Sequence, residues 1–292
     1  MNRLGDLDAP YRLDGKTCLV TGATAGHGQA VALALAERGA DVVILGRSRE
    51  KCDATSKVIA GATGRAPTVL LCDLASRAAI DAAAREYLDS KRPLHVLVNN
   101  AGLVSRCRET TVDDVERVFA VNYLAYFQLT MRLLPRIRES APARILNVSS
   151  DTHRMVSLDL DDLELGRRYG WLGAYGRSKL AIVYFNRELA RRLAGTGVTV
   201  NALDPGPVAS NIAAHDPSAI VRALGQLVMA PFPSPARAAR TAVFLASAPG
   251  MDGATGGYYK FDRIREPRVG RDEPSIASRL WDASVRYTGA NL

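Results

Sequence analysis

Cysteine is sparse in this 292-residue chain: Cys18, Cys52, Cys72 and Cys107 show no C-x-x-C spacing, and no histidine falls beside them. That excludes a small disulfide scaffold and argues against zinc or thiol-redox chemistry, leaving buried or free thiols of a reducing compartment; no metal site is expected. No apolar run approaches the roughly 18–20 residues of a membrane span, so no integral membrane segment is expected. The opening MNRLGDLDAPYRLDGK is polar and lacks the apolar stretch of a secretory signal, which gives the expectation of a cytoplasmic protein. Lysine is scarce too, at six of the 38 basic residues. The arginines behind the net charge of +8 are scattered among acids rather than gathered in a stripe, so no nucleic-acid partner is expected. Repeats and low-complexity linkers are missing, which argues for one domain over residues 1–292.

What is present is an ordinary globular balance, 47% hydrophobic and 23% charged, in a chain long enough for a sizeable core. β-Branched apolar runs at Thr17–Val20, Asp41–Leu45, Thr68–Cys72, Leu94–Val98, Arg144–Val148, Val198–Leu203 and Tyr258–Phe261 read as strands buried on both faces. Helical patterns fill the gaps at Gln29–Arg38, Arg49–Ala60, Arg77–Ser90, Thr111–Ser140, Gly173–Ala194 and Pro235–Ala246. The alternation predicts an α/β fold, a Rossmann-type doubly wound parallel sheet of about seven strands flanked by helices. Its core spans about 14–260, after an extension at 1–13 and before a tail at 262–292 that carries a helix. Residues 151–172 and 208–234 depart from the repeat at the carboxyl ends of strands, where such sheets bind ligands. A lid or substrate wall is expected there.

The first strand runs straight into Thr21-Gly22-Ala23-Thr24-Ala25-Gly26-His27-Gly28 and then a helix. Glycines in that place let the backbone approach a pyrophosphate, while the helix N-terminus offers N–H donors and partial positive charge. The second strand ends Leu45-Gly46-Arg47-Ser48, without the acid that an NAD site wants over the ribose hydroxyls. Arg47 with Ser48 suits a 2′-phosphate instead, so NADP(H) is favoured over NAD(H). The alternative is that Arg47 only faces solvent. Asp73-Leu74 and Asn100-Ala101-Gly102 follow the third and fourth strands. They suit adenine and ribose, or else a cap or turn.

Tyr175 and Lys179 lie four apart at the start of a helix and so share a face. A phenol with its ordinary pKa near 10 is a poor acid or base at neutral pH. Lowering it by about 3 units takes about 4 kcal/mol, roughly what one cation at about 4 Å supplies at an effective dielectric near 20. Lys179 is spaced to do this.

In order, TGATAGHG, NNAG, Asn122, NVSS, YGRSK and DPGPV make a chain that resembles the short-chain dehydrogenase/reductase family over roughly residues 14–260. The resemblance implies that Tyr175 is the proton donor or acceptor and Lys179 its activator and a ribose ligand. It implies that Ser150 bonds the substrate carbonyl oxygen and that Asn122 holds a water of the proton relay. Pro205-Gly206, Val208 through its N–H, and Ser210 would sit by the nicotinamide. Ser150 and Tyr175 stand 25 positions apart, about twice the usual spacing of the family. That insertion and the tail DEPSIASRLWDASVRYTG resemble the branch containing retinol dehydrogenases. Asp204 stands where that branch often has His, and Ser210 where Thr is usual.

These readings imply an NADP(H)-dependent oxidoreductase that interconverts a carbonyl and an alcohol on a bulky, mainly apolar small molecule, with a homodimer or homotetramer possible for the family. Leu103, Val104, Met155, Trp171, Leu172, Ile212, Leu224 and Met229 are candidate walls of its pocket, or else core. Rival readings are a reductase of an activated C=C bond, a non-catalytic NADP(H) sensor, and a serine hydrolase using Ser150, His153 and Asp151 or Asp204. The hydrolase lacks a G-x-S-x-G elbow.

Overall fold

The apolar runs line up side by side in one sheet. The computed structural model describes residues 4–206, 233–270 and 273–292. Its strands are β1 (Thr17–Thr21), β2 (Asp41–Gly46), β3 (Thr68–Leu71), β4 (Val96–Asn99), β5 (Ala143–Val148), β6 (Val198–Asp204), β7 (Tyr258–Lys260) and β8 (Arg263–Arg265). Their order is β3-β2-β1-β4-β5-β6-β7-β8. The first seven pair in parallel. β8, which hydropathy does not announce, folds back antiparallel on β7 and makes the sheet eight-stranded.

Successive strand residues point to opposite faces, and two separate cores follow. Cys18, Val20, Ile44, Val98 and Leu146 face α1 (Gly26–Glu37), α2 (Arg49–Thr63) and α7 (Pro235–Ser247). Leu19, Val43, Leu45, Leu97 and Ile145 face α3 (Arg77–Asp89), α5 (Ala125–Glu139), α6 (Trp171–Arg192) and α8 (Glu273–Thr288). A fully buried aliphatic side chain contributes about 1.5–3 kcal/mol, so continuous apolar strands are what a two-faced sheet requires.

One predicted helix is shorter than its pattern. Residues 111–116 are a turn closed by a Thr110–Glu116 bridge, and helix begins only at α4 (Arg117–Phe119). The Thr111 hydroxyl accepts from Asp113 and Val115 N–H, and the Glu116 carboxylate caps Val118 and Phe119 at 2.7 and 2.8 Å. These local acceptors compete with the helix ladder and win. A π turn at Ala120–Leu124 then joins α4 to α5.

Strand order reverses direction between β1 and β4, which opens a crevice at the carboxyl ends. The glycine loop, Asn100–Gly102, Ser150 and the Asp204–Gly206 turn all lie at that edge. The 151–172 insertion starts with a 3-10 turn at Asp151–Met155 and packs down rather than flapping free. Leu163 and Leu165 are buried. Glu164 accepts from Glu116 N–H at 3.0 Å and from the Tyr287 hydroxyl at 2.8 Å. The first of the two segments expected to form a lid or substrate wall is therefore anchored to the body of the fold. Most of the second excursion, residues 208–232, lies outside the described residues.

Candidate active site

The glycine loop is held by backbone constraints. Gly22 (φ +63°) and Gly26 (φ +53°) occupy the left-handed region. A Cβ on Gly28 would stand 2.4 Å from the Gly22 carbonyl oxygen and 2.3 Å from Asn100 Nδ2. Asn100 does not turn its side chain outward: Nδ2 donates to the Thr21 carbonyl (2.8 Å), and Oδ1 meets His27 Nδ1 (2.8 Å). His27 is buried, and burial holds its pKa below the ordinary value; both residues brace the loop.

This cradle fits an anionic cofactor. Helices α2, α3 and α7 are capped by Ser48, Ser76 and Ser234, whose hydroxyls accept from Lys51, Ala79 and Arg237 N–H. α1 has Ala25 at its cap, no side-chain acceptor and no acid in its first turn. Its leading N–H groups point to where a pyrophosphate would complete them. Ser48 is thus already engaged as a cap, whereas Arg47 is exposed and makes no ion pair with the described residues. Asp73 accepts from Ala75 N–H at 3.0 Å, a turn, and Leu74 is buried. Of the residues expected beside the nicotinamide, Pro205 and Gly206 sit at the end of β6, while Val208 and Ser210 fall outside the described residues, as do the candidate pocket walls Ile212, Leu224 and Met229.

On the far lip, Tyr175 and Lys179 share one face near the start of α6, with Lys179 Nζ 5.5 Å from the Tyr175 ring centre. Nζ is buried and donates to the Val148 carbonyl at 2.9 Å. The β5 segment also brings up Ser150, whose hydroxyl accepts from Thr152 N–H at 3.3 Å and acts on the Tyr175 phenol, favouring its ionised form. A Cβ on Gly102 would stand 3.6 Å from Lys179 Nζ and 3.5 Å from Asn122 Oδ1, which places Ala101-Gly102 directly beside these groups.

Asn122 lies in the π turn, and its amide is committed to structure. Oδ1 accepts from Leu103 N–H at 2.8 Å, and Nδ2 donates to the Leu103 carbonyl and to Ser178 Oγ at 3.0 and 3.1 Å. It ties the loop after β4 to α6.

The electrostatics correct one expectation. Tyr175 is not lowered overall: burial first, and then the Asp204 carboxylate, push it up to about 12, against the opposing influence of the Ser150 hydroxyl. Burial likewise brings Lys179 down to about 8, with Asp204 opposing. Desolvation disfavours both charged forms, and the ammonium spends itself on Val148.

Sequence reasoning does not find the ionic cluster behind Ser150. Lys260 Nζ stands 2.6 Å from Asp151 Oδ2 and 3.1 Å from Asp204 Oδ2, and the Tyr258 hydroxyl donates to Asp151 Oδ1 at 3.1 Å. Against the cost of burial, that ammonium holds the Asp151 carboxyl below its ordinary range. Nor does it find the asparagine ladder under the site, Asn99 to Asn147 to Asn186 at 3.0 and 3.2 Å. The only signal for Lys260 is its place at a strand end, which gains meaning once β7 is known to lie beside β6. The hydrolase reading fails here. His153 faces the Ser150 carbonyl through Nδ1 and Arg268 N–H through Nε2, so neither nitrogen serves the Ser150 hydroxyl.

The family profile for short chain dehydrogenase matches residues 16–220. The chain belongs to the short-chain dehydrogenase/reductase family. It is an oxidoreductase of a family that uses nicotinamide cofactors. It is 38% identical to human (Homo sapiens) retinol dehydrogenase 13 over 283 residues, covering 95% of this chain and 86% of that one. It is 37% identical to human retinol dehydrogenase 14 over 305 residues, covering 99% and 90%, which puts it in the retinol dehydrogenase-like branch. An uncharacterized protein from Mycobacterium paratuberculosis superimposes with a TM-score of 0.75 at 27% identity, covering 100% of this chain and 99% of that one. The Pseudomonas aeruginosa RhlG/NADP active-site complex does so at 0.69 and 31% identity, covering 87% and 97%.

Proposed function

We propose that this protein interconverts a ketone or aldehyde with the corresponding alcohol on a bulky, mainly apolar substrate, using NADP(H). The observation that carries the reading is the meeting of Tyr175, Lys179 and Ser150 beside Gly102, facing a glycine loop whose helix lacks a side-chain cap. Gly22, Thr24, Ala25, Gly26 and Gly28 would hold the pyrophosphate and Arg47 the 2′-phosphate. The Ala101-Gly102 backbone and Lys179 would hold the ribose on the nicotinamide side, with Pro205-Gly206 against the ring. When bound, the nicotinamide gives or takes the hydride, and in its oxidised form it adds a positive charge beside the phenol. In reduction Tyr175 gives its proton to the substrate oxygen while Ser150 donates a hydrogen bond to that oxygen. Donors placed where charge develops are the largest expected contribution. Asn122 serves as a positioning residue, since its amide is taken up by Leu103 and Ser178.

Exposed apolar side chains at Met155, Trp171 and Leu172, near the start of α6, support an apolar substrate. The test is NADPH oxidation across aldehydes and ketones, all-trans-retinal among them, with product identification to separate C=O from C=C reduction. Tyr175→Phe is expected to lower turnover by about 10³-fold with NADP⁺ binding within a few fold of the parent. Turnover near the parent's would remove the mechanism.

A further inference from the structure

The hairpin between β7 and β8 touches the Asp204–Gly206 turn from two sides. From one side Lys260 reaches Asp204 and Asp151 together, and so joins the end of β6 to the segment beginning at Ser150. The same two segments are stitched a second time, because Asp151 N–H donates to Asp204 Oδ2 at 3.1 Å. Asp204 Oδ1 in turn accepts from Gly206 N–H at 2.8 Å, which shapes the turn itself. From the other side the Phe261 ring lies on Gly206, where a Cβ would stand 2.8 Å from it.

Phe261 holds a φ of +54°, the left-handed region, without being glycine. That conformation costs roughly 1–3 kcal/mol and survives only where surrounding contacts impose it. Here they are the ring against Gly206 and the Phe261 carbonyl accepting from Thr241 Oγ1 at 2.8 Å.

Charge points the same way. Asp204 is 3% exposed and acts on both Tyr175 and Lys179. The groups around Lys260 are Asp151, Asp204 and Tyr258, with Arg154 on the far side of Asp151 at 3.4 Å and Arg263, its partner in β8, turned to Asp262 at 3.6 Å. His153, edge-on to Tyr258, has both nitrogens engaged. Lys260 is therefore the cation in direct contact with Asp204 among the described residues.

We propose that Lys260 and Phe261 are positioning residues that clamp the Asp204–Gly206 turn to the Ser150–Asp151 segment, so that cofactor-facing turn and catalytic hydroxyls keep one geometry and Asp204 stays neutralised beside Tyr175. This rests on the function proposed above. Without the ammonium, the unopposed carboxylates disfavour the phenolate, and Tyr175 ionises at higher pH.

The experiment uses the full chain and two readouts besides turnover: calorimetric titration with NADP⁺ and, in parallel, NAD⁺, and the ultraviolet tyrosinate band of each protein minus that of its own Tyr175→Phe counterpart. Lys260→Met is expected to weaken dinucleotide binding about 10-fold and to delay the onset of the Tyr175 tyrosinate band to higher pH. Lys260→Arg is expected to keep both within about twofold. Phe261→Gly relieves the left-handed strain, so a purely structural role predicts equal or higher thermal stability with unchanged binding. The clamp predicts that same stability with binding weakened about 3- to 10-fold. Parent-like binding and titration in Lys260→Met and Phe261→Gly would overturn the clamp; if Lys260→Met does not fold, Phe261→Gly and Lys260→Arg decide alone. An active Tyr175→Phe would sink the catalytic reading while leaving the binding titrations to judge the clamp.

Discussion

On one lip of the crevice the fold works with backbone, and on the other with side chains. The glycine loop between β1 and α1 makes its cradle from consecutive residues, with positive φ at Gly22 and Gly26 and uncapped N–H groups behind Ala25. Across the sheet, Ser150, Tyr175, Lys179, Asp204 and Lys260 come from the end of β5, α6, β6 and β7, and the bonds that tie them together reach 31 positions along the sequence from Lys179 to Val148, 53 from Asp204 to Asp151 and 109 from Lys260 to Asp151. A backbone cradle tolerates most side chains but no Cβ at its glycines. A side-chain site tolerates backbone drift poorly, because each group depends on a partner far along the chain. The first lip is fixed by steric exclusion and the second by a balance of charge and burial.

The sharpest way to break the first lip is Gly28→Val. Its Cβ must displace the Gly22 carbonyl, so NADPH binding and turnover are both expected to vanish. A variant that still binds NADPH in a fluorescence titration would show that the loop is not the cradle.

Lys179→Met tests the second lip and should separate activity from stability. The group's pKa falls from 10.5 to about 8 on folding, so the unfolded chain binds more protons between those values and stability rises with pH across that window. The burial penalty is fully present below about pH 8 and fades toward 10.5. At pH 7 its removal is worth roughly 3 kcal/mol, less about 1 kcal/mol for the lost bond to Val148. The variant should melt higher than the parent at pH 7, lose that advantage near pH 10, and turn over about 10³-fold more slowly. Equal melting at both pH values would refute the account.

Arg47→Ala returns to the first lip with a smaller effect. The apparent NADPH affinity is expected to fall about 10- to 100-fold, the size of a lost charge-assisted contact, with NADH kinetics unchanged. Parallel losses with both cofactors would reject the 2′-phosphate assignment. Glu164→Ala is the mildest. It releases the insertion from Glu116 and Tyr287, so KM for a bulky aldehyde should rise a few fold while a small aldehyde such as propanal is unaffected. Steady-state kinetics with the two aldehydes decide it.

The two lips were not equally legible. Gly22 to Gly28, Arg47 and the Tyr175/Lys179 spacing sit in short motifs whose chemistry depends on neighbours within a few residues, so they can be read in a line of letters. Asn100 and Ser48 fall in motifs too, yet their side chains brace the loop and cap α2 rather than reach outward. Thr111–Glu116 reads as helix from its apolar spacing, and only the acceptors at Thr111 and Glu116 show why it is not. Lys260 gives no local sign of its role.

What the sequence determined by itself is the layered sheet, its crevice and the glycine cradle, because alternating burial, helix capping and backbone sterics are local properties. What tertiary structure alone decided is the ionic setting of the Ser150 and Tyr175 hydroxyls. Whether Tyr175 is raised or lowered depends on how completely it is buried and on Asp204, itself paired with Lys260 of β7, acting on it from another strand. Coulombic and desolvation energies depend on distance and burial in space, and neither is written in the spacing of residues along a chain.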